Sequence, residues 1–110
     1  MSCNCSPQVL PAYSIGTTWP GMTGGTITFS YAEAATLAKL VLVFSKDGVV
    51  GLTLDSSLPL SPVTVSASWK YEVANITPLA LAEGDWTITF YATDSTGYIR
   101  QLGTYNQQIL

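Results

Sequence analysis

The 110-residue sequence contains no histidine and only two cysteines, Cys3 and Cys5. Without histidine, neither a Ser-His-Asp triad nor a Cys-His pair can form, and no recognised motif places a carboxylate or lysine as the replacement base. Zinc needs four ligands, and no carboxylate stands near the two cysteines in the sequence. A Cys3–Cys5 disulfide would be strained, because extended neighbours at i and i+2 lie near or beyond the limit of about 6.8 Å for bridged Cα atoms. We therefore expect no enzymatic activity, no metal and no cofactor.

Charged side chains are also scarce, at 10% of the sequence, and the formal net charge is −3. The basic residues are scattered through the chain and form no patch that could neutralise phosphates. These residues are Lys39, Lys46, Lys70 and Arg100. We expect no nucleic-acid partner.

Long hydrophobic runs are absent although 47% of the residues are hydrophobic. The longest candidate, Ala38 to Phe44, has the length of a strand, whereas a membrane helix needs about 18 apolar residues. The start of the sequence has no basic flank followed by an apolar stretch of about 7 to 15 residues, as a signal peptide would. We expect one domain, no membrane contact and intracellular synthesis without a secretory signal.

Residues 1–23 contain three prolines and two glycines and show no regular hydrophobic period. The pattern predicts an extended N-terminal arm ahead of a domain at residues 24–110. Two of its aromatic residues, Tyr13 and Trp19, either pack back on the domain or reach a neighbouring subunit, and the sequence leaves both alternatives open.

From Gly24 onward, short β-rich segments alternate with turn signals. "GGTITFSYA" predicts a half-buried strand, and Lys46-Asp47-Gly48 predicts a tight hairpin because glycine supplies the positive φ that such a turn needs. The alternation places two sets of residues each on one face of its strand: Ile27, Phe29 and Tyr31, and then Ala38, Leu40, Leu42 and Phe44. Val50, Leu52 and Leu54 return on the second arm of the hairpin. Although "YAEAATLAKL" has helix-forming residues, we expect a bent connection or one helical turn there.

The second half of the chain continues this pattern. "SSLPLSP" predicts a loop, and "VTVSASWKYEVANI" predicts one strand with Trp69, Tyr71 and Val73 on one face. "ITPLALAEGDW" predicts a short helical turn with Thr77 as N-cap, Pro78 at its first position and Gly84 at its end. Two strands joined by a turn at residues 94–97 complete the chain. Six or seven strands in about 85 residues favour an antiparallel β-sandwich, with a small barrel as the alternative.

Several polar and aromatic groups suggest sites but have simpler interpretations. We expect Asp47 and Asp94 to be turn residues, since calcium needs more oxygen ligands than either loop supplies. If Asp85 and Asp94 end one strand, they lie about 30 Å apart, too far for an acid/base pair. Five aromatics could form a sugar-binding platform, but their alternation places them in the core. They are Phe44, Trp69, Tyr71, Trp86 and Phe90.

Four segments carry a resemblance to known proteins. In the order "GTTW.GM", "LVLVFSKDG..GLTLD", "ASWKYEV..ITPLAL" and "GDWTITFYATDSTGYIRQLG", they resemble small immunoglobulin-like modules in virion proteins of tailed bacteriophages, including the N-terminal modules of fibre and upper-baseplate proteins. The likeness covers about residues 15 to 105. Its landmarks are Trp69 opening a strand, Gly84-Asp85-Trp86 entering the next, and "TDSTG" at the last hairpin.

The resemblance implies an all-β, immunoglobulin-like antiparallel sandwich of about seven strands and a non-enzymatic structural protein of a phage virion, made in the host cytoplasm. Because the sequence stops at Leu110 without a further C-terminal domain, we do not expect a host-receptor binder. The short, acidic and free-standing chain favours a head decoration or cement protein. A neck, tail or baseplate adaptor anchoring fibres is the first alternative, and a carbohydrate-binding module is the second.

The expected partners are other virion proteins, such as major capsid or tail and baseplate subunits, together with further copies of the chain itself. An apolar-dotted arm can order by packing along a neighbour during assembly. The candidate assembly contacts are Val9, Leu10, Tyr13, Ile15, Trp19, Met22, Ile109 and Leu110.

Overall fold

A computed structural model describes residues 9–10, 17–30 and 33–110 of the chain. This part of the chain is built from eight β-strands and one short 3₁₀ helix at Thr77–Leu79. The strands are β1 (Val9–Leu10), β2 (Gly25–Thr28), β3 (Leu37–Lys46), β4 (Val49–Asp55), β5 (Val63–Ser66), β6 (Lys70–Val73), β7 (Gly84–Asp94) and β8 (Ile99–Ile109).

The strands form two sheets packed face to face. The larger has the order β1-β8-β7-β3-β4, and the smaller has the order β2-β6-β5. Every pair is antiparallel except the two-residue β1, which runs parallel to β8. In immunoglobulin notation, β2, β6 and β5 correspond to B, E and D, and β8, β7, β3 and β4 to G, F, C and C′. The predicted all-β, immunoglobulin-like sandwich of seven main strands is confirmed.

The core lies between the sheets and follows from the period-two alternation of the strands. In β7, every second residue from Trp86 to Asp94 is buried while its neighbours are half-buried, as the sequence predicts. The five aromatics considered as a sugar platform all lie in this core, which confirms the alternative interpretation. The buried hydrophobic residues are Phe29, Leu37, Leu40, Leu42, Phe44, Leu54, Val63, Trp69, Tyr71, Val73, Ile76, Trp86, Ile88, Phe90, Ala92 and Leu102.

Two β-bulges change which residues face inward. The register of β3 against β7 shifts between Leu37 and Lys39, so Leu37 is buried and Ala38 is exposed. The register of β3 against β4 shifts after Phe44, and Val50 is 57% exposed. The prediction that Ala38 shares a face with Leu40, Leu42 and Phe44 was wrong, and Val50 does not share the orientation of Leu54. In both places an extra residue in one strand reverses the alternation beyond it.

The predicted hairpin between β3 and β4 is confirmed. Asp47 and Gly48 form its two-residue turn, with φ values of 53° and 80°. Positive φ at both central residues defines a type I′ turn, whose twist matches that of the flanking strands. Residues 33–36 form a bend rather than a helix before β3, as expected.

The segment predicted as one strand is instead a hairpin of β5 and β6. The chain turns between Ser66 and Trp69, where the Trp69 N–H donates to the Ser66 carbonyl at 3.1 Å and Trp69 has a φ of 61°. The Ser66 hydroxyl also accepts the Ser68 N–H, which satisfies a backbone donor within the turn. Trp69, Tyr71 and Val73 are nevertheless buried as predicted.

The short helical turn is confirmed, but its caps differ from the prediction. Ile76, not Thr77, is the N-cap residue, and it makes no side-chain capping hydrogen bond. The Asn75 side-chain oxygen accepts both the N–H and the hydroxyl of Thr77, the first residue of the helix. Ala80, not Gly84, takes the left-handed conformation after the helix, with a φ of 52°. Gly84 instead begins β7, because the chain re-enters the sheet there opposite Ile109.

Asp94 ends β7 and organises the turn into β8, as expected of a turn residue. One of its carboxylate oxygens accepts the N–H groups of Thr96 and Tyr98 at 2.9 and 3.2 Å. The other lies 3.4 Å from Nη2 of Arg100. Arg100 also lies 3.7 Å from Glu33, so the ion pairs connect this turn to the segment before β3.

Candidate assembly surface at one end of the sandwich

The described parts of the predicted arm lie against the chain's own domain. Val9 pairs with Ile99 at the start of β8, and the Trp19 indole N–H donates to the Gln107 side chain near its end at 2.9 Å. Residues 99 and 107 of an extended strand are about 26 Å apart. The segment from Val9 to Trp19 therefore begins and ends beside the same strand, and residues 17–23 are not separate from the domain.

Trp19 packs on the core of its own sandwich. Its ring meets Phe44 and Phe90 edge to face, with centroids 5.6 and 6.3 Å away. Such pairs add favourable energy beyond the burial of area. Of the two alternatives that the sequence left open for Trp19, the structure shows the intramolecular one. Tyr13 and Ile15 lie outside the described residues, as do Cys3 and Cys5.

Three of the predicted assembly contacts meet at one pocket. Met22, Ile109 and Leu110 line it, and its volume is about 410 Å³. Val9 and Leu10 lie away from it, opposite the first two residues of β8. The other residues of the pocket lining are Thr77, Ala80, Leu81 and Gln108.

Three segments that are distant in the sequence build this pocket. The first is the Gly21–Gly24 turn, closed by a backbone hydrogen bond of 3.1 Å. This turn presents Met22, whose carbonyl accepts the Ile76 N–H at 2.9 Å just before the 3₁₀ helix. The helix and the residues after it form the second segment. The third is the end of β8, where Ile109 pairs with Gly84.

The pocket has an apolar floor and an open rim. Met22, Leu81 and Ile109 are half-buried and pack against the core. Leu110 is 94% exposed at the rim. None of the side chains that line the pocket is ionisable, so the side-chain chemistry available is burial of apolar surface with hydrogen bonding at the edge. This arrangement can bind an apolar group.

A second apolar feature was missed by the sequence reasoning, which treated "SSLPLSP" only as a loop. Leu60 in the β4–β5 loop is fully exposed, and Leu58 is 59% exposed. Leu60 has a φ of 59°, in the left-handed region that leucine rarely occupies. The sequence did contain a signal for this exposed apolar loop: two leucines flank a proline where polar turn residues are usual.

The loop and the pocket lie toward opposite edges of the larger sheet. The loop follows β4, the outermost described strand on one side, whereas the pocket adjoins β8, with β7 and β3 between them. Three strand spacings of about 4.8 Å separate β4 from β8. One chain therefore presents an exposed apolar loop and an apolar pocket on different surfaces.

Within the ranges that the structure describes, no helix reaches the length and hydropathy of a transmembrane span. The same residues contain no group of three or more histidine, cysteine, aspartate or glutamate side chains arranged to hold a metal ion.

The fold and this surface define an immunoglobulin-like β-sandwich with an apolar pocket beside its last strand. Comparisons with protein-family models, curated proteins and solved structures found no match. The likeness to phage virion modules therefore remains an expectation from the sequence.

Proposed function

We propose that this protein is a non-enzymatic structural protein of a tailed-bacteriophage virion, a head decoration or cement protein that binds neighbouring subunits through the pocket. The observation that carries the proposal is the pocket lined by Met22, Ile109 and Leu110, residues singled out independently as assembly contacts. Exposed apolar surface that forms one connected site is typical of surfaces that a partner covers.

The charge distribution supports a protein-binding role for this surface. The centres of protein interfaces are depleted of charged residues, because each charge must lose its water on binding. None of the described side chains that line the pocket carries a charge. A neighbouring subunit that inserts an apolar side chain therefore has no buried charge to compensate.

Incorporation into particles tests this proposal. We would supply tagged wild-type protein and two variants, Leu110→Asp at the pocket rim and Thr64→Asp on β5, during particle assembly. Both positions are exposed, so neither substitution buries the added carboxylate, and circular dichroism would establish that both variants are folded. We expect Leu110→Asp to be depleted from purified particles and Thr64→Asp to match the wild type. Equal incorporation of all three would contradict a role for the pocket, and absence of the wild type would contradict the virion assignment.

A further inference from the structure

We propose that the pocket binds the Leu58–Leu60 loop of a second copy of this chain. The inference rests on the proposed function, since it names the partner of the same site. The loop is the knob of this contact, and the pocket of Met22, Leu81, Ile109 and Leu110 is its socket.

The knob is a defined structure. The Leu58 N–H donates to the Asp55 carbonyl at 3.2 Å, and the Ser61 N–H donates to the Leu58 carbonyl at 3.3 Å, so two successive turns shape the loop. The Asp55 carboxylate fixes the first turn by accepting the Ser57 N–H at 2.9 Å. These bonds hold Leu60 in its left-handed conformation with its side chain in solvent. A loop that is already ordered loses little conformational entropy on docking.

The socket suits this occupant in size and polarity. Its volume of about 410 Å³ lies in the range of ligand-binding pockets, about 300–1,000 Å³, so it has room for a leucine side chain. Residues 56–62 contain no charged side chain, and neither does the described lining of the socket. Docking therefore removes apolar surface from water on both sides without burying a charged side chain.

The knob of one chain does not line that chain's own socket, because the two lie toward opposite edges of the larger sheet. The contact must therefore join two copies. Since it pairs two different surfaces, it is heterologous, and each added copy leaves a free knob and a free socket for the next. Such a contact produces a ring if the rotation between copies closes and an open chain if it does not.

Two variants separate the halves of the contact. Leu60→Asn removes the knob, and asparagine tolerates the left-handed backbone at this position. Leu110→Asp places a charge at the mouth of the socket, at a residue that is 94% exposed. Val49→Asp is the matched control, because Val49 is an exposed apolar residue that belongs to neither knob nor socket. Circular dichroism would establish that all three are folded.

Sedimentation velocity over a concentration series gives the test. We expect wild type and Val49→Asp to associate, and Leu60→Asn and Leu110→Asp each to associate at least about tenfold more weakly. An equimolar mixture of the last two should form a dimer and no larger species, because Leu60→Asn retains a socket and Leu110→Asp retains a knob.

Three results would overturn the inference: a monomeric wild type at every concentration, association unchanged in Leu60→Asn, or a mixture that fails to form dimers. The virion assignment is judged separately, by the presence of the wild-type chain in particles. A chain found in particles but monomeric alone would contradict the self-association and leave the proposed function in place.

Discussion

Gly51 lies directly against the indole ring of Trp86. A methyl group on Gly51 would stand 2.5 Å from Cη2 and 2.7 Å from Cζ3 of that ring, well inside van der Waals contact. The ring has little freedom to move, because it is buried and its N–H donates to the Ala82 carbonyl at 2.8 Å. Gly51 is the extra residue at the register shift between β3 and β4, so the indole ring of Trp86 packs directly against the bulge.

Gly51→Ala should therefore destabilise the fold by about 1–3 kcal/mol through overpacking. Urea denaturation would measure the change in the free energy of unfolding. Gly25→Ala is the control, because its added methyl meets only Pro20 at an ordinary 3.4 Å. An equal effect of both substitutions would contradict the close packing of Gly51 against Trp86.

Tyr71→Phe should leave stability unchanged or raise it by about 1–2 kcal/mol. The Tyr71 side chain is buried, and its hydroxyl has no hydrogen-bond partner in the described structure, so its desolvation is uncompensated. Burial raises the pKa of the Tyr71 hydroxyl well above its ordinary value, and nearby Tyr105 adds to the shift. Thermal unfolding of Tyr71→Phe and of Tyr91→Phe, on the outer face, would test this. A clear loss of stability in Tyr71→Phe would show that the hydroxyl has a partner.

The Asp94 carboxylate should make stability depend on acid pH. Burial raises its pKa, but hydrogen bonds from Thr96 and Tyr98 and the charge of Arg100 outweigh that effect, so the pKa lies below 3.8. A carboxylate whose pKa is lower in the folded than in the unfolded state stabilises the protein at pH values above its unfolded-state pKa. It loses that contribution as the pH falls through its folded-state pKa. Stability should therefore fall below about pH 4.

Asp94→Asn should cost about 1–3 kcal/mol at pH 7, because it removes a charged acceptor from a buried turn. It should also flatten the decline of stability below pH 4. Unfolding free energies measured from pH 2 to 7 would test both effects, with the exposed Asp85→Asn as control. A pH profile of Asp94→Asn that matches the wild type would contradict the role of the Asp94 carboxylate in the loss of stability at acid pH.

Trp19→Ala should destabilise the fold by about 2 kcal/mol, less than for a fully buried tryptophan because Trp19 is only half-buried. Gln107→Ala removes only the hydrogen bond to the indole and should cost about 0.5–1.5 kcal/mol. Chemical denaturation of both variants would test whether the segment before β2 is part of the folded domain. A Trp19→Ala variant as stable as the wild type would place its indole outside the domain's packing.

Features governed by neighbouring residues could be predicted from the sequence. The inward face of β7 follows from strict alternation between Trp86 and Ala92, and the turn between β3 and β4 follows from Asp47-Gly48. Both signals are local, since side-chain direction in a strand and positive φ in a two-residue turn depend on a few adjacent residues.

Features fixed by tertiary packing could not be predicted in this way. The bulge at Gly51 depends on the indole of Trp86, 35 positions later in the chain. The turn before β6 requires a positive φ at Trp69, which is unusual for a bulky residue. The Trp69 ring packs against Phe29, and its indole N–H donates to the Ala35 carbonyl, so residues more than 30 positions earlier hold it. The pocket joins Met22, the residues after the 3₁₀ helix and the end of β8, which only the fold brings together.

The central proposal, that this chain is a virion structural protein, is tested most directly by quantitative mass spectrometry of virus particles purified from the source of the sequence. The account predicts that the chain is present, with hundreds of copies relative to the major capsid protein if it decorates the head. A few to a few dozen copies would place it in the neck, tail or baseplate instead. Absence of the chain from purified particles would contradict the account.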